Sequence, residues 1–311
     1  MTSSIPTNCH ILIIDDDSVD RRAAHRALSQ AGWTGGIAEA ATGREALALL
    51  ASRSFDCILL DYHLPGEDGL NLLKNLQGRT EGKAPVVMLT GEGNEMVAVE
   101  AMKRGALDYL PKSMMGPDLL FHTVTTAIER FRLQWELAQA EARLEHLALH
   151  DGLTGLGNRS LFMRDLASMV AGGRRHSQGF CVMVMDLDRF KNANDVYGHE
   201  AGDEVLAELG RRFASLGRAN DFFYRLGGDE FTALIDAADV SAAARVGHLI
   251  AQAASGPVRY QEHEICVGIS IGAALFPGHG AASETLLRAA DAAMYRAKRG
   301  STGLAFAEAE P

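Results

Sequence analysis

The chain has 311 residues, 47% of them hydrophobic and 23% charged, a composition that bounds it as folded protein with room for two domains and excludes a disordered or fibrous chain. Its formal net charge of −10, with 14 Lys/Arg against 20 Asp/Glu in residues 1 to 150 and 16 against 20 in the rest, leaves no basic tract and argues against nucleic-acid binding by phosphate neutralisation. Cys9, Cys57, Cys181 and Cys266 are widely spaced without a CxxC pair, as expected of reduced thiols; Met1 to His10 lacks a signal-peptide pattern and no apolar run reaches membrane-span length, so the expectation is a cytoplasmic protein without membrane insertion.

Cys9 to Ile14 is an apolar run ending in Asp15-Asp16-Asp17, which fits a buried parallel strand with carboxylates at its C-terminal edge. Helical patterning follows over Asp20 to Ala31, then a strand at Ile37 to Ala40 and a helix at Gly43 to Ser52. A third strand, Phe55 to Leu60, leads into Asp61; a fourth, Pro85 to Leu89, into Thr90; a fifth, Leu107 to Leu110, into Pro111 and Lys112. Strands alternating with helices predict a doubly wound α/β domain, flavodoxin-like, whose ligands bind beyond the C-terminal strand edges. One strand-end Asp is ordinarily a cap or a solvated turn residue. Asp15, Asp16 and Asp61 together suggest a Mg2+ site, because converging carboxylates need a cation, while a lysine and a hydroxyl can bind an added phosphoryl group.

These residues resemble the receiver domain of two-component response regulators, over residues 8 to 130. The resemblance implies that Asp15 and Asp16 are the acidic pair and that Asp61, in Leu60-Asp61-Tyr62-His63-Leu64-Pro65-Gly66, is the phosphoacceptor of a cognate histidine kinase. Thr90, Tyr109 and Lys112 match the switch hydroxyl, the switch aromatic and the active-site lysine. The family usually has Pro after the lysine, often behind a cis bond, where this chain has Ser113. A cis bond before a non-proline costs about 2.5–4 kcal/mol, so either the loop stores that strain or its geometry differs.

From Asp118 to His150 there is no Gly or Pro, which predicts a continuous helix roughly 50 Å long, the connector at residues 117 to 150. Leu133, Leu137, Ala140, Leu144 and Leu147 follow the spacing of a coiled-coil seam, and Val124, Ile128, Phe131 and Trp135 form an offset stripe upstream. Dimerisation through the seam and packing of the stripe on the chain's own domains both fit.

Residues 151 to 308 form the second domain. A Gly-rich opening, His150 to Arg159, precedes a helix to Val170, and the apolar strand Phe180 to Met185 runs into Asp186-Leu187-Asp188. Helices are expected at Gly202 to Leu216, Ser241 to Ala254 and Ser283 to Lys298, and strands at Val258 to Gln261, Glu264 to Ala273 and Leu304 to Ala307. Between them Gly227-Gly228-Asp229-Glu230-Phe231 reads as a tight hairpin. Taken by itself that pentapeptide fits an ordinary hairpin as well as a metal site. Mostly antiparallel strands with helices segregated to the other side predict α+β. If Asp186 and the hairpin acids meet, they form a cation site of the sort that holds nucleotide phosphates.

These segments resemble the GGDEF diguanylate cyclase family, over residues 150 to 307. The resemblance implies an α+β nucleotidyl-cyclase-like fold, Asp186, Asp229 and the Leu187 carbonyl as metal ligands, and Glu230 as catalytic glutamate and metal ligand. It assigns Gly227 and Gly228 to the substrate-binding turn, Lys191 and Lys298 to phosphate, and Asn194 and Asp203 to guanine. A carboxylate at Asp203 accepts from the guanine N1 and N2 hydrogens, which favours GTP. Arg218-Ala219-Asn220-Asp221 matches the RxxD product-inhibition site. After Lys298 the family continues two residues, Gly and a phosphate-binding Arg; Arg299-Gly300-Ser301 is one residue shorter and lacks that Arg, and Arg299 stands open as its substitute. The implied protein is a phosphorylation-regulated homodimer that condenses two GTP into cyclic di-GMP, using Mg2+ (or Mn2+) in both domains and inhibited by its product. The rival is a non-catalytic GTP or cyclic di-GMP receptor acting through protein partners.

Overall fold

A computed structural model of the chain describes residues 9–64, 67–80, 84–91, 95–176, 178–218, 220–237 and 239–308. Pro65 and Gly66 of the phosphoacceptor segment and Ala219 of the RxxD lie outside the described residues. The chain divides into two compact units, Met1–Glu141 and Ala142–Pro311. Among the described residues no helix is long and apolar enough to cross a membrane.

The first unit runs β1 (Ile11–Ile14), α1 (Ser18–Gln30), β2 (Ile37–Ala40), α2 (Gly43–Ser52), β3 (Cys57–Asp61), β4 (His63–Leu64), β5 (Glu67–Asp68), α3 (Gly69–Thr80), β6 (Val86–Thr90), α4 (Glu95–Lys103), β7 (Asp108–Pro111) and α5 (Pro117–Leu149), with one 3-10 turn at Lys112–Met114. Its parallel sheet has the order β2-β1-β3-β6-β7. β1 is apolar on both faces because both are covered: Ile11 and Ile13 enter one core with Leu28, Leu59 and Val124, and Leu12 and Ile14 enter the other with Leu60, Leu73 and Met88. Side chains set the helix starts. Asp17 accepts from the Val19 N–H at 2.7 Å, and Thr42 caps α2 through the Glu45 N–H at 3.2 Å.

α5 is one helix of 33 residues whose two stripes meet different fates. Val124 is fully buried and Ile128 packs against the same core, so the upstream stripe belongs to the first unit. Leu133, Leu137, Leu144 and Leu147 of the second stripe are 54%, 60%, 66% and 65% exposed among the described residues.

The second unit continues α6 (Arg159–His176), β8 (Phe180–Asp188), α7 (Phe190–Tyr197), α8 (His199–Leu216), β9 (Phe222–Gly227), β10 (Glu230–Ile235), α9 (Val240–Ser255), β11 (Val258–Tyr260), β12 (His263–Ile265), β13 (Gly268–Phe276), α10 (Ser283–Gly300) and β14 (Leu304–Phe306). The main sheet has the order β14-β13-β8-β10-β9, antiparallel except for the β13–β14 pair. Its helices cover both faces and are not segregated to one side. β8 is apolar on both faces, so Met183 and Met185 pack with Val205 and Leu209 of α8 while Val182 and Val184 pack with Phe162 and Leu166 of α6. The single strand expected over Glu264 to Ala273 is interrupted: β12 pairs only with β11, and β13 starts afresh at Gly268 in the main sheet. α7 is a helix the pattern did not disclose, being eight residues long with only Phe190 and Ala193 buried.

Candidate functional site

Two parallel strands deliver acids to one edge of the first unit. Asp15 follows β1 and is fully buried, Asp61 ends β3 and is 3% exposed, and exposed Asp16 completes the set; one oxygen from each lies within 4.8 Å of the others. Lys112, directly after β7, sits over them, its Nζ 2.7 Å from Asp15 Oδ2, 2.7 Å from Asp20 Oδ2 and 3.0 Å from Asp61 Oδ2. Burial pushes the Asp15 and Asp61 carboxyls above the usual range, with Lys112 opposing that shift. Burial alone would lower the Lys112 pKa, but its contacts with Asp15, Asp20 and Asp61 outweigh this and raise it. Asp15 Oδ2 is buried and faces the Lys112 ammonium at 2.7 Å. A donor set made of carboxylate oxygens this close together fits a hard divalent cation.

Thr90 ends β6 and is buried, whereas Tyr109 on β7 is 43% exposed. Ser113 lies in the 3-10 turn, and among the described residues the cis peptide is Phe276-Pro277, so the Lys112–Ser113 bond is trans. Asp20, which the sequence did not single out, is the third acid on Lys112, from the first turn of α1. The backbone carrying the acidic pair is held by Arg21, whose Nη1 donates to the carbonyls of Asp15 at 2.6 Å and Asp16 at 3.1 Å.

In the second unit strand register brings the separated acids together. β10 pairs with β8 so that Glu230 lies directly opposite Asp186, which puts the two side chains on one face. Gly228 and Asp229 form the turn; Gly227 at φ 141° and Gly228 at φ 56° hold conformations that favour glycine, with open space where a Cβ would project. The Leu187 N–H donates to the Asp229 carbonyl at 3.3 Å, fastening β8 to the turn. Lys298 of α10 donates to Asp186 Oδ1, and that bond raises its pKa, with Asp188 and Asp229 adding to the attraction. Asp186 is thus paired with an ammonium group, and Asp229 adds to the negative field around it. Asp188, two residues along β8 and hence on the Asp186 face, also belongs to this field; its carboxylate accepts from Ser270 Oγ at 2.8 Å.

Lys191 and Asn194 lie on α7 and Asp203 on α8, helices joined at Gly198 with φ 88°. A Cβ on Gly202 would stand 1.8 Å from Asn194 Oδ1, so glycine there lets the amide lie against the α8 backbone beside Asp203. In the RxxD, Arg218 is exposed and Asp221 is tied to its own loop, accepting from the Asp236 N–H at 3.1 Å and facing the Arg218 N–H at 3.3 Å. Arg299 stacks over the Tyr295 ring at 5.9 Å, on a different partner from Lys298. Like Asp20, Arg225 is a site residue that the sequence did not single out. Its Nη1 bonds Asp151 at 3.0 and 3.2 Å, and its Nε and Nη2 donate to the Gly228 carbonyl at 3.0 and 2.8 Å, clamping the Gly-rich loop to the acid turn. Thr154 and Arg225 together hold the Asp151 carboxyl below its usual range, against the upward push of burial.

A parallel five-stranded domain with an acid pocket at its strand ends, followed by an α+β domain with acids around a glycine hairpin, is the layout of a receiver domain joined to a cyclase domain. Comparison with known proteins agrees: residues 11–125 match the response regulator receiver domain, and residues 148–303 match "Diguanylate cyclase, GGDEF domain". The chain belongs to the GGDEF diguanylate cyclase family and carries an N-terminal receiver domain. It is 30% identical to the response regulator PleD of Caulobacter vibrioides over 93% of this chain and 63% of that protein. It is 43% identical to the bifunctional diguanylate cyclase/cyclic di-GMP phosphodiesterase MucR of Pseudomonas aeruginosa over 57% of this chain and 26% of that protein. Among solved structures, the GGDEF domain of TpbB from Pseudomonas aeruginosa is 38% identical with a TM-score of 0.50, covering 51% of this chain and 94% of that one. The chain thus spans less than two thirds of the length of the curated relatives it matches.

Proposed function

We propose that this protein is a phosphorylation-regulated diguanylate cyclase that condenses two GTP into cyclic di-GMP and two pyrophosphates. The observation that carries this reading is the cross-strand pairing of Glu230 with Asp186 beside a turn whose glycines leave space for a nucleotide. Asn194 and Asp203 read guanine, while Lys191 and Lys298 contact phosphate. Glu230 accepts the proton of the attacking 3′-hydroxyl, which forms a bond to the α-phosphorus of the other GTP as the bond to pyrophosphate breaks.

Asp186, Asp229, Glu230 and the Leu187 carbonyl would hold Mg2+ or Mn2+, which when bound neutralises phosphate charge. Lys298 leaves Asp186 for the triphosphate in that state. Asp15, Asp16 and Asp61 would hold the receiver cation, with Asp61 taking a phosphoryl group from a histidine kinase and Thr90, Tyr109 and Lys112 responding to it. Each cyclase domain presents one GTP, so two copies of the chain are needed, brought together through the exposed Leu133 to Leu147 seam of α5. Product binds back at Arg218 and Asp221.

The test is incubation of the purified protein with GTP and Mg2+, with and without a phosphoryl analogue at Asp61, followed by assay of cyclic di-GMP. Product formation is expected. A protein that binds GTP and makes none under either condition is instead a receptor.

A further inference from the structure

A triphosphate approaching the hairpin meets Asp186, Asp188, Asp229 and Glu230, so it calls for cations besides Lys191 and Lys298. Three nearby basic side chains are already engaged. Arg225 spends its guanidinium on Asp151 and the Gly228 carbonyl, Arg299 lies over Tyr295, and Lys298 is bonded to Asp186. A fourth, Arg159, faces the hairpin with its Nη2 4.0 Å from Glu230 Oε2 and two thirds of its side chain exposed. At that separation and exposure the pair contributes little to stability, so Arg159 can leave Glu230 at small cost.

Its position is nonetheless built. Arg159 is the first residue of α6, and Asn158 before it accepts from the N–H groups of Ser160 at 2.9 Å and Leu161 at 3.1 Å. Asn158 also donates from Nδ2 to the Ala148 carbonyl at 2.7 Å and from its backbone to Leu149 at 2.8 Å, closing the C-terminal end of α5. The Gly157 carbonyl accepts from the Arg225 N–H at 2.8 Å, which seats the same loop on β9. Arg159 is therefore aimed at the acids by a loop bonded on one side to the connector helix and on the other to the catalytic strand.

We infer that Arg159 is a substrate-binding residue that exchanges Glu230 for the substrate's phosphates when nucleotide arrives, its planar fork matching a phosphate bidentately. Two consequences follow: a further cation for the triphosphate comes from the α6 side of the hairpin, and departure of the guanidinium leaves the Glu230 carboxylate free to accept a proton.

This inference rests on the cyclase reading, and the experiment separates the two. In the full-length protein, Arg159→Ala should raise KM for GTP about tenfold to a hundredfold, with kcat changed by no more than about threefold, and Arg159→Lys should fall between the variant and wild type. Inhibition by guanosine, which has no phosphate, should be the same in all three proteins. An unchanged KM, or a parallel loss of guanosine inhibition, would overturn the assignment. Should wild type form no cyclic di-GMP, the cyclase reading falls, and binding of a non-hydrolysable GTP analogue to the same three proteins still decides whether Arg159 contacts phosphate.

Discussion

Both units place a lysine over carboxylates at the edge of a sheet, yet the two sites differ in their access to water. In the receiver, Asp15 and Asp61 are buried beneath Lys112, and burial displaces their protonation equilibria. At the hairpin, Lys298 and Glu230 are 45% and 53% exposed, and the acids are organised by strand register, a glycine turn and the Arg225 clamp. In the proposed reading the buried pocket acts as a switch that gains or loses one phosphoryl group. In the same reading the exposed site is half of an active site that a second nucleotide-bearing copy completes. A low-dielectric pocket amplifies a small charge change, whereas an exposed one depends on what is brought to it.

The contrast predicts where substitutions act. Glu230→Gln should lower kcat by about a hundredfold or more while leaving the melting temperature unchanged, because the side chain is exposed; retained turnover would remove Glu230 from its assigned role. Asp61→Asn should leave a folded protein that no longer responds to a phosphoryl analogue, so a stimulation typical of allosteric coupling, about 5- to 150-fold, falls to one; a persisting response would place the switch elsewhere. Gly202→Ala should push the Asn194 amide from the α8 backbone and raise KM for GTP about tenfold with little change in stability; steady-state kinetics with a thermal melt checks both. The smallest effect should come from Asp151→Asn, which weakens the Arg225 clamp by about 1 kcal/mol. The Asp151 pKa is depressed, so the stability it adds is present above the unfolded value near 4 and is lost as pH falls through the folded one. The melting-temperature gap between wild type and variant should therefore close on acidification, and a gap independent of pH would deny the clamp its charge.

Much of this was legible in the chain itself, because strands that end on Asp, Thr and Lys announce a shared edge. Asp15, Asp61, Thr90 and Lys112 are recognisable once the strands are placed, since parallel α/β topology sends their C-terminal ends the same way. Other features depend on contacts that no local pattern encodes. Asp20 reaches Lys112 from a residue 92 positions away, and Arg225 reaches Asp151 across 74. Asp188 left a usable signal in its two-residue offset from Asp186. The opposition of Glu230 to Asp186 requires the β8–β10 register, and the break at Cys266-Val267 is hidden because Ile265-Cys266-Val267 reads as an uninterrupted apolar run leading into β13. The coverage of both sheet faces was readable in the unbroken apolar run of Phe180 to Met185, which leaves neither face to solvent.

The central claim, that a closed switch in one unit governs an open half-site in the other, is tested most directly by the dependence of specific activity on protein concentration. With GTP and Mg2+ in excess, cyclic di-GMP formation per mole of protein should rise with concentration until dimers saturate. A phosphoryl analogue at Asp61 should shift that curve to lower concentration or raise its plateau. Specific activity that is independent of concentration and identical with and without the analogue would contradict the account.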